Sequence, residues 1–189
     1  MTTLLPYINY LEMRWKNGLG VTQEVYRYPA TEQYDWRVSV ATIRDAGPFS
    51  RFSGYQRNIS VLEGEGMFLT VDGERGVLIP AFQPTDFNGD SDVFCDVVGG
   101  PLLDFNVIYD AKTTQASVHW MNSGEWSLKQ GSLLLFNAGH ALEVNVDGAR
   151  HFLHHYDSLL IDTPATVVVS AQPTQIFACV MIEPVTSGS

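Results

Sequence analysis

The sequence predicts an all-β fold of two barrels in one chain, on three observations. Segments rich in β-branched and aromatic residues recur along all 189 residues, Gly-containing turn dipeptides separate them, and one stretch repeats at an offset of 75. Strand patterns run over residues 21–28, 36–43, 58–62, 66–71, 93–98 and 103–109. They resume over 132–136, 141–146, 166–170 and 176–182. Asn17-Gly18, Asp72-Gly73, Asn88-Gly89 and Asp147-Gly148 mark turns between them, because Asn, Asp and Gly tolerate positive φ. Gly99-Gly100-Pro101 ends the first half. Helical periodicity is poor throughout, and a short turn near residues 7–14 is its best candidate.

The repeat lays residues 64–73 (GEGMFLTVDG) over residues 139–148 (GHALEVNVDG). Met67 falls on Leu142, Leu69 on Val144 and, further along, Leu78 on Leu153, so the same face stays apolar. Two unrelated hairpins sharing a common turn would look similar. A duplication is the preferred reading, with residues 1–110 forming a first barrel plus an N-terminal segment and residues 111–189 a second, packed as one compact unit.

Composition narrows the function. Hydrophobic residues make up 45% and aromatics 12%, which is a core-forming mix and not that of a disordered chain. The net charge of -10 excludes a nucleic-acid partner, which needs a basic face. No apolar stretch of about 18 residues exists, so no membrane partner is expected. The start carries no basic region before its apolar residues and no small-residue cleavage site, so a cytoplasmic location is expected. Cys95 and Cys179 form no CxxC and read as reduced core thiols. Charge is unevenly spread. Residues 1–57 hold seven Lys/Arg against five Asp/Glu, a balance of +2, while the remainder holds four against sixteen, or −12. Such asymmetry suits an anion-handling region, and it equally suits arginines paired with acids of the second half.

Several ordered blocks carry a resemblance. They are residues 15–24 (WKNGLGVTQE), 36–41 (WRVSVA) and 47–57 (GPFSRFSGYQR), then 61–64 (VLEG), 87–90 (FNGD) and 104–107 (DFNV). From about residue 8 to 110 the chain resembles the HutD/Ves family. Leu19 and Ser53 depart from the family pattern, which usually has Gly and Pro there. The resemblance implies a bicupin, two cupin-type barrels from an internal duplication. It also implies a small-molecule binder rather than a reaction. One branch of the family is encoded with histidine-degradation enzymes and looks like a modulator binding a pathway acid such as formylglutamate or urocanate. The other is linked to environmental stress.

Many cupin enzymes hold a divalent metal through histidines and a carboxylate, but the first barrel here contains no histidine. Where a His-x-His would stand before Val61, the chain reads Arg57-Asn58-Ile59, and guanidinium has no lone pair for a metal. His119, His140, His151, His154 and His155 all fall in the second half, His151 and His155 sharing a strand face with His154 on the other. No metal and no cofactor are expected. There is no G-x-S-x-G nucleophile and no first-barrel histidine base, so no catalytic residue is assigned and the chain leans away from being an enzyme. An isomerase or hydrolase working on a small acid without metal is the alternative.

What remains is a candidate binding set. Alternation over 103–109 puts Asp104 and Asn106 on one face and Phe105 and Val107 on the other. Arg57 can fork onto a carboxylate. Lys16 and Asn17 sit in the Trp15-Lys16-Asn17-Gly18 turn, and Trp15 can cover the ligand's apolar part. Arg37 and Phe49, from the resembling blocks, complete the set. Plainer roles stand beside these: Trp15 and Trp36 as core, Arg37 in a structural ion pair, Asp104 capping a turn. The expected partner is a small carboxylate metabolite that the protein senses or buffers, and a homodimer is left open.

Overall fold

Strands dominate because side chains branched at Cβ and aromatic side chains pack well on a pleated surface, and closely spaced turn residues leave no room for helices. The computed structural model describes residues 1–15, 18, 20–172 and 174–185. Its strands are β1 (Thr2–Leu5), β2 (Leu11–Arg14), β3 (Gly20–Tyr28), β4 (Trp36–Ile43), β5 (Gly47–Pro48) and β6 (Tyr55–Glu63). Next come β7 (Met67–Val71), β8 (Glu74–Ile79), β9 (Thr85–Asn88), β10 (Val93–Val97), β11 (Leu102–Asp110), β12 (Thr114–Met121) and β13 (Gly124–Leu128). Last are β14 (Ser132–Asn137), β15 (Ala141–Val146), β16 (Ala149–His154), β17 (Ser158–Ile161), β18 (Ala165–Val169) and β19 (Phe177–Pro184). Among the described residues the one helical element is a 3-10 turn, Tyr7–Asn9, inside the span expected for it.

The chain divides into a unit of Leu11–Thr113 and a unit of Met1–Tyr10 with Thr114–Ser189. The sequence reading takes residues 1–110 as a first barrel with an N-terminal segment; by contacts, Met1–Tyr10 group with Thr114–Ser189. β1 pairs antiparallel with β17, and the Tyr10 hydroxyl donates to the Tyr156 carbonyl at 2.7 Å.

In the Leu11–Thr113 unit, a six-stranded sheet ordered β2-β3-β4-β11-β6-β9 faces a four-stranded sheet ordered β5-β10-β7-β8. Their inner faces meet in Ile43, Ile59, Val61, Met67, Leu69 and Cys95. In the other unit, β1-β17-β14-β19-β12 faces β13-β18-β15-β16 over Leu133, Leu135, Leu142, Val144, Phe177 and Cys179. Each unit is therefore two packed sheets and not the closed barrel the sequence suggested. Both cysteines are buried and free, and burial pushes each thiol up to about 12. No helix among the described residues is long and apolar enough to cross a membrane.

Shifting every strand number by eight carries β4-β11-β6-β9 onto β12-β19-β14-β17, and β5-β10-β7-β8 onto β13-β18-β15-β16. The repeated Asp-Gly pairs close the equivalent hairpins, β7–β8 and β15–β16. Asp72 and Gly73 have φ of 49° and 85°, and Asp147 and Gly148 have 50° and 87°, the left-handed pair that matches strand twist in a two-residue turn. Each aspartate also clamps the next strand. Asp72 N–H donates to the Asp92 carbonyl and Asp92 N–H donates back to Asp72 Oδ1, as Asp147 does with Thr166.

The return strands differ by one residue. Met67 pairs with Ile79, whereas Leu142 pairs with Leu153, because an irregularity between Phe68 and Thr70 adds a residue to β8. Ile79 is thus buried at 4% exposure while Leu78 is 42% exposed, so the expected match of Leu78 with Leu153 does not hold. Ile79→Ala should cost about 2–5 kcal/mol in urea unfolding, as buried aliphatic truncations do, while Leu78→Ala should cost about 1 kcal/mol or less. Equal losses would contradict this register.

Candidate functional site

The centre of the six-stranded sheet carries a polar inner face. On β11, Asp104, Asn106 and Ile108 lie opposite Ala41, Ser39 and Arg37 of β4, and opposite Val61, Ile59 and Arg57 of β6. Phe105 and Val107 occupy the other face, fully buried. Above these polar groups is a cavity of about 520 Å³, walled by Trp15 and Thr22 on one side and by Phe49, Ser50 and Phe52 on the other. A pocket of this size with a few convergent polar groups is what small-ligand sites look like.

Arg57 is the group around which the cavity is arranged. It is 6% exposed, and its guanidinium carbon lies 5.2, 5.0 and 4.8 Å from the ring centres of Phe49, Phe52 and Phe87. The negative faces of such rings attract a cation. Nη2 donates to Asn106 Oδ1 at 2.8 Å and Nη1 to the Ser50 carbonyl at 3.4 Å, while the buried Nε has no partner among the described residues. Asn106 Nδ2 in turn donates to Asp104 Oδ1 at 2.7 Å. Asn106 therefore separates the cation from the carboxylate and bonds to both.

Burial moves both charged ends towards neutrality. Asp104, 1% exposed, is pushed up to about 7 by desolvation, partly offset by Arg57, by the Asn106 bond and by the Ala41 backbone N–H. Arg57 is lowered to about 10 by desolvation, with Asp104 acting the other way. Between about pH 7 and 10 both ends are charged.

The loop holding Phe52 depends on a close approach. A Cβ at Gly89 would lie 2.4 Å from the Phe52 carbonyl, so the Asn88-Gly89 turn needs glycine to seat that segment. Ser53 donates to Asp90 Oδ1, and Asp90 Oδ2 also accepts from Gly54 N–H.

Of the eight residues expected at the site, Trp15, Arg37, Phe49, Arg57, Asp104 and Asn106 line this one cavity. Lys16 and Asn17 lie outside the described residues, as does Leu19. Trp15 is half-buried, and its indole N–H donates to Thr22 Oγ1 at 2.8 Å. Arg37 is in the ion pair the sequence offered as its plainer role. Its Nε lies 2.7 Å from Glu24 Oε2, with an N–H that does not point along the contact, and Arg27 meets the other oxygen of Glu24. Asp104 lies within a strand and caps no turn. Sequence reading missed Ser39, Thr22, Phe52 and Phe87. Alternation over 36–43 could have found Ser39, which shares a face with Arg37.

The equivalent face of the other unit is apolar. There β19 presents Cys179 and Met181 opposite Leu135 and Leu133 of β14. The histidines assemble nothing. β16 ends at His154, so His155 lies beyond it, its Nδ1 2.8 Å from the Gly139 carbonyl oxygen, and does not share a strand face with His151. Among the described residues no group of three or more His, Cys, Asp or Glu could hold a metal ion. A larger cleft, about 800 Å³, runs along β8 and β9, but it presents Asp72, Glu74 and Asp86 to any anion, and its Arg75 is tied to Asp96.

Asp104 makes stability depend on pH. Its folded-state pKa lies above the unfolded carboxylate range, so the native state holds the extra proton. Stability should therefore fall as pH rises from about 4 to about 7. Asp104→Asn should remove that slope in urea unfolding at pH 5, 6, 7 and 8 and be the more stable protein at pH 8. An unchanged slope would place the titration elsewhere.

A model of the HutD family matches residues 7–178. An uncharacterised 21.2 kDa protein in the hutC 3′ region of Pseudomonas putida is 38% identical over 163 residues, covering 84% of this chain and 86% of that protein. The crystal structure of a conserved protein of unknown function from Pseudomonas aeruginosa PAO1 superposes with a TM-score of 0.92 at 32% identity, covering 97% and 99% of the two chains. The structure of HutD from Pseudomonas fluorescens SBW25, formate condition, gives 0.85 at 35% identity, covering 98% and 100%. A putative glyoxylate-induced protein from Pseudomonas aeruginosa, at 8% identity and a TM-score of 0.72, covering 100% of this chain and 89% of that one, shares the cupin-like fold alone. On the strength of the matched model and these relatives, the chain belongs to the HutD family.

Proposed function

We propose that the protein binds a small carboxylate metabolite in the cavity of the Leu11–Thr113 unit and senses or buffers it without turning it over. The observation that carries this reading is the unpartnered Nε of Arg57. A buried, charged N–H without an acceptor is costly, and a ligand carboxylate at the cavity floor would complete it. Charge-assisted bonds to arginine are worth about 1.5–3 kcal/mol, enough to decide binding of a small acid. Arg14 at the rim is shared with Glu12, so Arg57 is the cavity's main cation, and an otherwise acidic chain repels anions elsewhere. Trp15 and Phe49 supply apolar walls for the rest of the ligand.

The hutC neighbourhood of the Pseudomonas putida relative supports a metabolite of histidine degradation, with formylglutamate and urocanate as candidates. The two units are read as copies of one duplicated bicupin plan. Matching strand order and the shared aspartate clamp support this, and one copy keeps a polar interior for the ligand. The protein is read as cytoplasmic, with no nucleic-acid or membrane partner. One observation favours a second reading, a metal-free isomerase or hydrolase acting in the same cavity. Asp104, pushed up to about 7, lies in the range of a general acid or base.

Formate, formylglutamate and urocanate should raise the melting temperature of the wild type, raise that of Arg57→Lys less, and leave that of Arg57→Ala nearly unmoved. Equal shifts in all three proteins would place binding elsewhere. Incubating formylglutamate or urocanate with stoichiometric protein should leave both intact by chromatography. Conversion that is lost in Asp104→Asn would establish the enzymatic reading instead.

A further inference from the structure

The cavity that would receive a carboxylate already contains one. Asp104 is almost wholly buried on the floor, and among the described residues no cation lies within ion-pair distance of it. Its link to positive charge runs through a single amide, from Asp104 Oδ1 to Asn106 to Arg57 Nη2. We propose that the site takes up its carboxylate together with one proton, which Asp104 holds. The inference rests on the carboxylate-binding reading above and adds what sets the affinity.

Without a bound acid, Arg57 supports an ionised Asp104 one amide away. When a ligand carboxylate reaches the guanidinium of Arg57, two anions share that one cation at short range. Asp104 is almost wholly buried, so screening between them is weak and a second like charge there is strongly disfavoured. Neutralising one anion with a solvent proton removes the conflict. The ligand is in contact with the guanidinium, whereas Asp104 is held off by Asn106, so Asp104 is the group that protonates. No bond is made or broken other than that O–H.

The neighbours of Asp104 leave it as the titrating member. Arg57 faces it from β6 and, at about 10, stays a cation near neutral pH. Cys95, across on β10, stays a thiol, its pKa raised to about 12 by burial first and then by Asp104. Arg37 on β4 is engaged by Glu24 of β3, and Arg14 of β2 stands at the rim. Tyr34, whose hydroxyl couples to Arg57, is shifted upward by burial and stays neutral. Ser39 and Ala41, opposite Asn106 and Asp104 on β4, bring no charge.

The test uses the full-length protein with formate and N-formylglutamate as probes, whose carboxylates stay ionised between pH 6 and 9. The association constant should be flat below about pH 7 and fall by up to about tenfold per pH unit above it. Calorimetry with N-formylglutamate at pH 7.5, in two buffers of different ionisation enthalpy, should show uptake approaching one proton per ligand. Asp104→Asn should bind with no pH dependence and at least as tightly as the wild type does at pH 6. Binding by the wild type that is constant from pH 6 to 9 with no proton uptake would overturn the inference while leaving carboxylate binding intact. So would an Asp104→Asn protein that keeps the wild-type pH profile. Should that variant fail to fold, the two-buffer measurement on the wild type decides alone. Absence of binding by either probe at every pH would overturn the carboxylate reading and this inference with it.

Discussion

A positive charge kept inside a β-sheet unit is the constraint on which the candidate site rests. A guanidinium at 6% exposure must be met by acceptors and polarisable surface or the fold loses several kcal/mol. Three phenylalanine rings, the Ser50 carbonyl and the Asn106 amide do most of this. They come from distant places: the segment between β5 and β6, strand β9 and strand β11. The turn at Gly89 and the clamp of Asp90 on Ser53 and Gly54 then make sense as the means of holding Phe52 against the cation. What the described residues leave undone is its buried Nε, in a residue that lines the cavity.

The two units show how one strand order can end in opposite interiors. Where β11 carries Asp104 and Asn106, β19 carries Cys179 and Met181. An apolar face can close on itself by packing. A polar face must instead find hydrogen-bond partners or stay open to water and ligand. The Leu11–Thr113 unit has that polar face and a cavity above it, and the other unit fills the equivalent face with leucine and phenylalanine. Distant structures with the same fold and 8% identity share the scaffold only, and function has to be argued from the lining.

Much of this was legible in the residue order. Period-two alternation and Asp-Gly turns located ten strands, because both signals are local and reflect backbone sterics. The nine other strands were missed. β1, β5 and β17 are short, and β8 carries Gly76 and an extra residue, so neither length nor alternation marked them. The one-residue slip that buries Ile79 in place of Leu78 is likewise invisible from the chain, since the repeat aligned the wrong leucine. The sequence groups the first ten residues with the first barrel as its N-terminal segment, and in the structure β1 pairs with β17.

By itself, the sequence determined the all-β class, the matched Asp-Gly turns, the family resemblance and the residue types at the site, since these are patterns of residue type along the chain. Only the tertiary structure decided what those residues do to one another. It brought Arg57, Asn106 and Asp104 together across β6 and β11, committed Arg37 to Glu24, and stacked three phenylalanines on one cation. Burial, and with it the pKa of Asp104, is a property of everything packed around a group. Sequence separations of 49 residues, as between Arg57 and Asn106, contain no record of it until the sheet forms.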